Sequence, residues 1–175
     1  MMTRIGLALC ILMAPSAASA KVLKVGDKAT DFTLKDSRGK VYTLASFKKR
    51  VLVMWYEGKN SKEQNRWIKD KLKKLRDTGV IKEALYQSVG IANFQETAVP
   101  NFLINMVIKS EIKKTGAIIL CDRTGHMMQH WGFRNGRSNI YIFDKDRRLR
   151  FKVSGPQSKR SGNRLIRLIK RLQRM

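Results

Sequence analysis

The chain has 175 residues, with 37 Lys and Arg residues against 13 Asp and Glu residues and a net charge of +24 at neutral pH. This length suits one domain with its own hydrophobic core. Its two cysteines, Cys10 and Cys121, exclude a cysteine-rich zinc site. The excess of positive charge predicts attraction to anionic partners.

The N-terminus has the pattern of a secretory signal peptide. Arg4 supplies the positive charge, residues 5–13 form a short apolar stretch, and Ala18-Ser19-Ala20 matches a cleavage site. We therefore predict a signal peptide at residues 1–20, one exported domain at residues 21–175, and a periplasmic or secreted location after cleavage near Ala20. Removal of the signal peptide would leave Cys121 as the single cysteine, which excludes an internal disulfide.

Hydrophobic patterning and turn residues predict alternating strands and helices over the rest of the chain. The predicted strands are a hairpin formed by residues 25–34 and 41–44, followed by residues 51–56, 86–94, 117–121, 139–143 and 149–153. The predicted helices begin at Ser61, at Asn101 and near Ser161. This order predicts an α/β fold with a mixed central β-sheet flanked by helices on both faces.

The helix after the strand at residues 51–56 has a sequence typical of a capped N-terminus. Ser61 is a suitable N-cap, and Gln64 follows three residues later as in a capping box. Apolar residues then recur at helical spacing, and Asp77-Thr78-Gly79 ends the pattern.

Several segments are similar to a known protein family. Residues 25–34 resemble the opening "VGDxAPDFTL" segment of the redoxin and peroxiredoxin superfamily, and residues 39–44 resemble the "GKxxxL" that follows it. Residues 140–146 match the "VxVLDKDG" hairpin of the YtfJ-like family, small exported thioredoxin-fold proteins without an assigned activity. The chain thus resembles that family over nearly all of residues 21–175, which implies a thioredoxin-like fold.

The chain departs from the active members of this superfamily at two positions. Active members carry a cysteine pair, or one peroxidatic cysteine, near the helix start, where this chain has Lys59-Asn60-Ser61-Lys62. They also carry a cis-proline at a position that corresponds to Ser138. Disulfide exchange needs an attacking thiolate and a resolving thiol. The resemblance therefore implies a binding or accessory protein without reductase or peroxidase activity and without a cofactor.

The predicted helix start suggests an anion site. Backbone N–H groups at a helix N-terminus attract anions, and Lys59, Asn60, Ser61 and Lys62 would add two ammonium groups and two polar side chains there. The alternative is an ordinary solvated turn in which Ser61 only caps the helix.

A second functional alternative is a thiol-dependent redox or copper-binding protein that uses Cys121 with His126 and His130. Cys121, His126, Met128 and His130 carry ligand types that suit copper, and a strand over residues 126–130 would place His126, Met128 and His130 on one face. The competing interpretation is that Cys121 is a small buried hydrophobe, that Met128 is a packing residue, and that both histidines are exposed.

The C-terminal helix combines an apolar half with a basic half that no acidic residue interrupts. Its cations are Arg164, Arg167, Lys170, Arg171 and Arg174. The apolar half can pack on the sheet or lie on a membrane surface, and in both cases the cations face outward. The predicted partner is an anionic envelope component, such as lipid or polymer phosphate, or a protein client. Peripheral membrane contact fits this prediction, and nucleic acid is not expected as a partner for an exported protein.

Overall fold

The computed structural model of the protein describes residues 22–175, so the predicted signal peptide and its cleavage site lie outside the described residues. Seven strands and four α-helices account for most of the described chain. The strands are β1 (Thr33–Asp36), β2 (Val41–Thr43), β3 (Val51–Glu57), β4 (Tyr86–Asn93), β5 (Ile118–Asp122), β6 (Asn139–Phe143) and β7 (Leu149–Ser154). The helices are α1 (Arg66–Asp77), α2 (Asn101–Thr115), α3 (His126–Trp131) and α4 (Lys159–Arg174).

All seven strands belong to one mixed sheet with the order β2-β1-β5-β4-β3-β6-β7. The three central strands β5, β4 and β3 are parallel, and the hairpins β1–β2 and β6–β7 add antiparallel strands at either side. Met54 in β3 lies opposite Val89 in β4 and Tyr141 in β6. The predicted α/β fold with a mixed central sheet is confirmed.

The two faces of the sheet are covered differently. On one face, Val53 and Trp55 of β3 pack in a cluster with buried residues of α1 and α4. Tyr86 belongs to this cluster, whereas Ala92 belongs to a cluster with α2. Because Tyr86 and Ala92 are six residues apart on β4, they point to the same side. Helices α1, α2 and α4 therefore lie on one face, and we call them the helical layer.

The opposite face is covered by α3 and by the segment that precedes β1. Leu52, Met54 and Tyr56 of β3 point to this side and pack with Met127 and Trp131 of α3. The predicted covering of both faces is thus observed, although a single short helix serves the second face.

Residues 126–131 form helix α3 rather than the strand that the copper-site hypothesis used for residues 126–130. That part of the hypothesis is wrong. The buried carboxylate of Asp122 at the end of β5 accepts hydrogen bonds from the backbone N–H groups of His126, at 3.1 Å, and Met127, at 3.0 Å. These bonds satisfy amide groups that a helix start leaves unpaired. The carboxylate of the last residue of β5, four residues before the helix, thus binds the first two amide groups of α3.

Helix α4 uses its apolar half for packing. Leu165, Ile169 and Leu172 are buried against the sheet. The helix begins at Lys159 with Ser158 as N-cap, slightly before the predicted start near Ser161. Among the helices of residues 22–175, none is long and apolar enough to span a bilayer.

Candidate functional site

The segment that follows β3 is the natural place to look for a site, because ligands of open α/β sheets bind at the carboxyl ends of the parallel strands. This segment does not begin a helix at Ser61, as the capping-box pattern predicted. Residues 59–65 form consecutive turns, and α1 begins at Arg66, so the predicted helix start is wrong. The backbone N–H groups of Ser61 and Lys62 both donate to the carbonyl oxygen of Gly58.

Ser61 lies inside the protein rather than on its surface. Its Oγ accepts a 2.9 Å hydrogen bond from the backbone N–H of Gly58, and the residue is fully buried. Lys59, Asn60 and Lys62 are exposed. The structure therefore separates Ser61 from the other three residues of the predicted anion site, and anion binding by these residues stays a prediction.

Glu96 closes the space beside Gly58. Its side chain lies so close to Gly58 that a Cβ atom there would overlap the Glu96 carboxyl group. Burial raises the pKa of Glu96, while the backbone amide of Asn60 acts in the opposite direction. A glycine is needed at position 58 because this carboxyl group occupies the room that a side chain would take.

Glu57, at the end of β3, is a buried carboxylate with two partners. It forms an ion pair with Lys69 of α1, and its Oε1 accepts a 2.6 Å hydrogen bond from the Oγ of Ser138. Burial raises the pKa of Glu57, and the contacts with Lys69 and Ser138 oppose that rise. The Lys69 ammonium also lies 5.2 Å from the ring centre of Trp55.

Gln64 fastens the turns after β3 to the loop before β6. Its Oε1 accepts a 3.0 Å hydrogen bond from the backbone N–H of Ser138, and its Nε2 donates to the carbonyl oxygen of Gly136 at 3.3 Å. These two hydrogen bonds join the turns after β3 to the loop before β6 through a single amide side chain.

Cys121 lies on β5, two strands from Glu57, and the pairing of both residues with Ala92 of β4 sets them at the same level of the sheet. It is buried in a cluster with Phe94 and Ile108 of the α2 side, and burial raises the pKa of its thiol despite the opposing charge of Arg123. A buried thiol with a raised pKa is a poor nucleophile. The interpretation of Cys121 as a small buried hydrophobe fits these observations.

The candidate copper ligands do not come together around Cys121. The imidazole rings of His126 and His130 stack on each other with ring centres 3.9 Å apart, and His126 is exposed. Met128 packs against the cluster on the α3 side of the sheet, whereas Cys121 belongs to the cluster on the α2 side. In the part of the chain from residue 22 to residue 175, no three His, Cys, Asp or Glu side chains are close enough to share a metal ion.

The basic half of α4 is presented as the sequence predicted. All five of its predicted cations, Arg164, Arg167, Lys170, Arg171 and Arg174, are exposed. The opposite half of the helix is buried, so the backbone that carries these cations is packed against the sheet.

Comparison with solved structures identifies the architecture. A proposed thiol:disulfide interchange protein DsbE of Chlorobium tepidum matches with 16% identity and a TM-score of 0.64, over 86% of this chain and 99% of the other. The pneumococcal exposed lipoprotein thioredoxin of Streptococcus pneumoniae matches with 20% identity and a TM-score of 0.56, over 81% and 99%. The peroxidoxin BcpB of Mycobacterium tuberculosis matches with 18% identity and a TM-score of 0.60, over 87% and 97%. The fold is thioredoxin-like.

These similarities show the fold only, so the activity of the protein must be inferred from the residues of the site. No protein-family profile matches the chain, and no curated protein matches it. In this thioredoxin-like domain, the segment after β3 contains a carboxylate, lysines and amides in place of thiols. The predicted thioredoxin-like fold is confirmed.

Sequence reasoning missed Glu57, Gln64 and Glu96 as members of this site. Glu57 had one visible signal, because it is the acidic residue at the end of an otherwise apolar run. Gln64 was assigned to a local capping box, although both of its partners lie more than 70 residues away in the chain. No sequence pattern marks Glu96 as a site residue, because its contact with Gly58 forms only when β3 and β4 pair.

Proposed function

We propose that this protein is an exported, non-redox binding module whose helical layer binds an anionic component of the cell envelope. The charge of that layer carries the proposal. Helix α1 has six basic and two acidic residues, α2 has three and one, and α4 has seven and none. Such a concentration of one sign on one side of a domain attracts anions over long distances.

The arrangement of α4 supports a binding surface in particular. A helix whose apolar half is buried cannot turn that half toward a ligand, so its contacts with a partner are made by the exposed cations. Guanidinium groups form paired hydrogen bonds with phosphate oxygens, and four of the five exposed cations are arginines. Phosphate groups of lipids or polymers are therefore the proposed ligand chemistry.

The proposed absence of redox function rests on the chemistry of the segment after β3. Glu57, Lys69 and Ser138 are in polar contact there, and the single thiol of residues 21–175 is buried on β5 with a raised pKa. Membership in the YtfJ-like group and a periplasmic or secreted location are parts of this proposal. They are supported by the resemblance of residues 140–146 and by the signal-peptide pattern of residues 1–20.

Binding to anionic liposomes over a salt series tests the proposal. We would compare residues 21–175 with a variant that carries Arg167→Gln, Arg171→Gln and Arg174→Gln. Each cation at an anionic membrane surface contributes about 1 kcal/mol, so the variant should bind about 100-fold more weakly at low salt. Binding of the parent should weaken as salt is added.

A matched variant controls for total charge. Lys24, Lys28 and Lys40 are exposed and lie outside the helical layer. Replacing all three by Gln removes the same number of charges and should weaken binding much less. Equal losses in both variants would contradict a role for the helical layer, and no binding at low salt to either liposomes or soluble polyphosphate would overturn the proposal as a whole.

A further inference from the structure

Helix α2 has large apolar side chains on the side that faces away from the sheet. Phe102 is 63% exposed, Met106 63%, Val107 60% and Leu103 41%. They lie at i, i+1, i+4 and i+5, which places them together on one side of the first two turns. Contiguous exposed apolar surface of this kind marks an interaction site more often than scattered single residues do.

The fold does not use these four side chains for its core. The opposite side of α2 packs on the sheet through Ile104, Ile108 and Ile112, which contact the cluster that contains Phe94 and Cys121. An amphipathic helix needs only one such stripe to attach to a sheet. The second apolar stripe therefore has a different use.

The same outer side becomes basic in the last turns of α2. Spacings of three and four residues continue the line of Phe102 and Met106 to Lys109 and Lys113. The same spacings continue the line of Leu103 and Val107 through the half-buried Glu111, the one acidic residue of α2, to Lys114, and all three lysines are exposed. The outer side of α2 thus carries an apolar half followed by a cationic half.

We infer that the outer side of α2 is a membrane-contact surface, whose apolar half enters the interface of an anionic lipid bilayer while its lysines bind lipid phosphates. This inference rests on the proposed function and adds to it the class of ligand, a lipid surface rather than a soluble polymer. A bilayer offers apolar and anionic contacts side by side, which is what this helix side requires.

Charge argues against a second copy of the chain as the occupant. Each copy carries Lys109, Lys113 and Lys114 on this side and a net charge of +24 over the whole chain, so two copies that met through it would repel each other. An anionic lipid surface instead lowers the electrostatic energy of these lysines. Helices α2 and α4 cover the same face of the sheet.

The first test removes the apolar half and keeps the charge. We would introduce Phe102→Gln, Met106→Gln and Val107→Gln together, since these exposed positions tolerate a good helix former. Binding to vesicles of phosphatidylglycerol and phosphatidylcholine should weaken at least about tenfold, because apolar burial in the bilayer interface is lost. Binding to soluble polyphosphate should be unchanged. A matched variant, Val25→Thr with Val41→Thr, alters exposed valines outside the helical layer and should bind vesicles as the parent does.

The second test reports burial directly. A Phe102→Trp variant should show additional quenching by brominated lipids on vesicle binding, and a Val41→Trp variant should not. Vesicle binding of the Gln variant at the parent's strength would overturn this inference while leaving the proposed function intact. Parent protein that binds polyphosphate but not vesicles, or that dimerises through α2 in solution, would overturn it in the same way. Binding to neither ligand would overturn both.

Discussion

The hydroxyl of Ser138 donates a 2.6 Å hydrogen bond to Oε1 of Glu57, joining the residue before β6 to the last residue of β3. Both residues lie where active members of the redoxin superfamily, by resemblance, have their cis-proline and the approach to their cysteines. Here the same junction holds a buried carboxylate between a hydroxyl and the ammonium group of Lys69. The junction between β3 and β6 thus contains a carboxylate, an ammonium group and a hydroxyl in mutual contact.

Loss of the Ser138 hydroxyl should destabilise the protein. Ser138→Ala removes a hydrogen bond from a buried carboxylate, so we expect the free energy of unfolding to fall by about 1–3 kcal/mol. Urea unfolding followed by circular dichroism measures this change. Ser110→Ala, at an exposed position of α2, should change it by less than about 0.5 kcal/mol. Equal stability of the two variants would show that the Ser138–Glu57 contact contributes nothing.

Glu57 should make stability depend on pH in a definite direction. Its pKa is raised in the folded protein, chiefly by burial, so its contribution to stability is present below the unfolded pKa and is lost as pH rises through the folded pKa. Glu57→Gln removes this titration. The unfolding free energy of the variant, relative to the parent, should therefore rise between about pH 4 and about pH 8.

Urea unfolding at both pH values gives this difference. Glu83→Gln provides the control, since Glu83 is exposed and lies outside the network. A relative stability of Glu57→Gln that stays constant or falls with pH would contradict the assignment.

The close contact between Gly58 and Glu96 should make position 58 intolerant of a side chain. Gly58→Ala places a Cβ atom where the Glu96 carboxyl group lies, so overpacking should cost about 1–3 kcal/mol. Gly90→Ala is the matched control, because a Cβ there would meet Ile119 Cγ1 at an ordinary 3.6 Å. Thermal unfolding of both variants separates the two cases. A Gly58→Ala protein as stable as Gly90→Ala would mean that Glu96 moves aside without cost.

Cys121 should be unreactive in the folded protein. Its thiol is buried and its pKa is raised, so modification by a thiol reagent should require unfolding. We expect little labelling under native conditions and full labelling in denaturant, measured by mass spectrometry. Ser110→Cys in a Cys121→Ala background supplies an exposed thiol for comparison. Rapid native labelling of Cys121 would return the thiol-dependent function to consideration.

The wrong helix start predicted at Ser61 shows what a local sequence pattern cannot predict. Ser61 and Gln64 have the residue types and the spacing of a helix start. Sequence alone cannot reveal that the Ser61 hydroxyl binds the Gly58 amide and that distant groups bind Gln64. In the folded chain Gln64 bonds to the loop before β6, and Asn65 bonds to Gly155 and Gln157. With Gln64 and Asn65 engaged in these tertiary contacts, α1 begins only at Arg66.

Helix α2 shows that local sequence patterns also fail to predict which side of a helix is exposed. Its apolar residues recur at helical spacing on both sides, so the pattern predicts a helix correctly but does not tell which side faces the sheet. The contacts of Ile104, Ile108 and Ile112 decide that, and they leave Phe102 and Met106 exposed. An apolar surface patch can be recognised only after the core has been assigned.

The sequence by itself determined the order of the seven strands and of helices α1, α2 and α4, the mixed sheet, the thioredoxin-like resemblance, the lack of paired thiols and the basic half of α4. These features follow from hydrophobic periodicity and from residue identity, which are local properties. Only the tertiary structure decided the start of α1, the helical form of residues 126–131, the buried contacts of Glu57 and the exposed side of α2. The start of α1, the contacts of Glu57 and the exposed side of α2 depend on partners that meet only when the strands pair and the helices pack. Helix α3 depends on Asp122, whose carboxylate the folded chain places at the first turn of the helix.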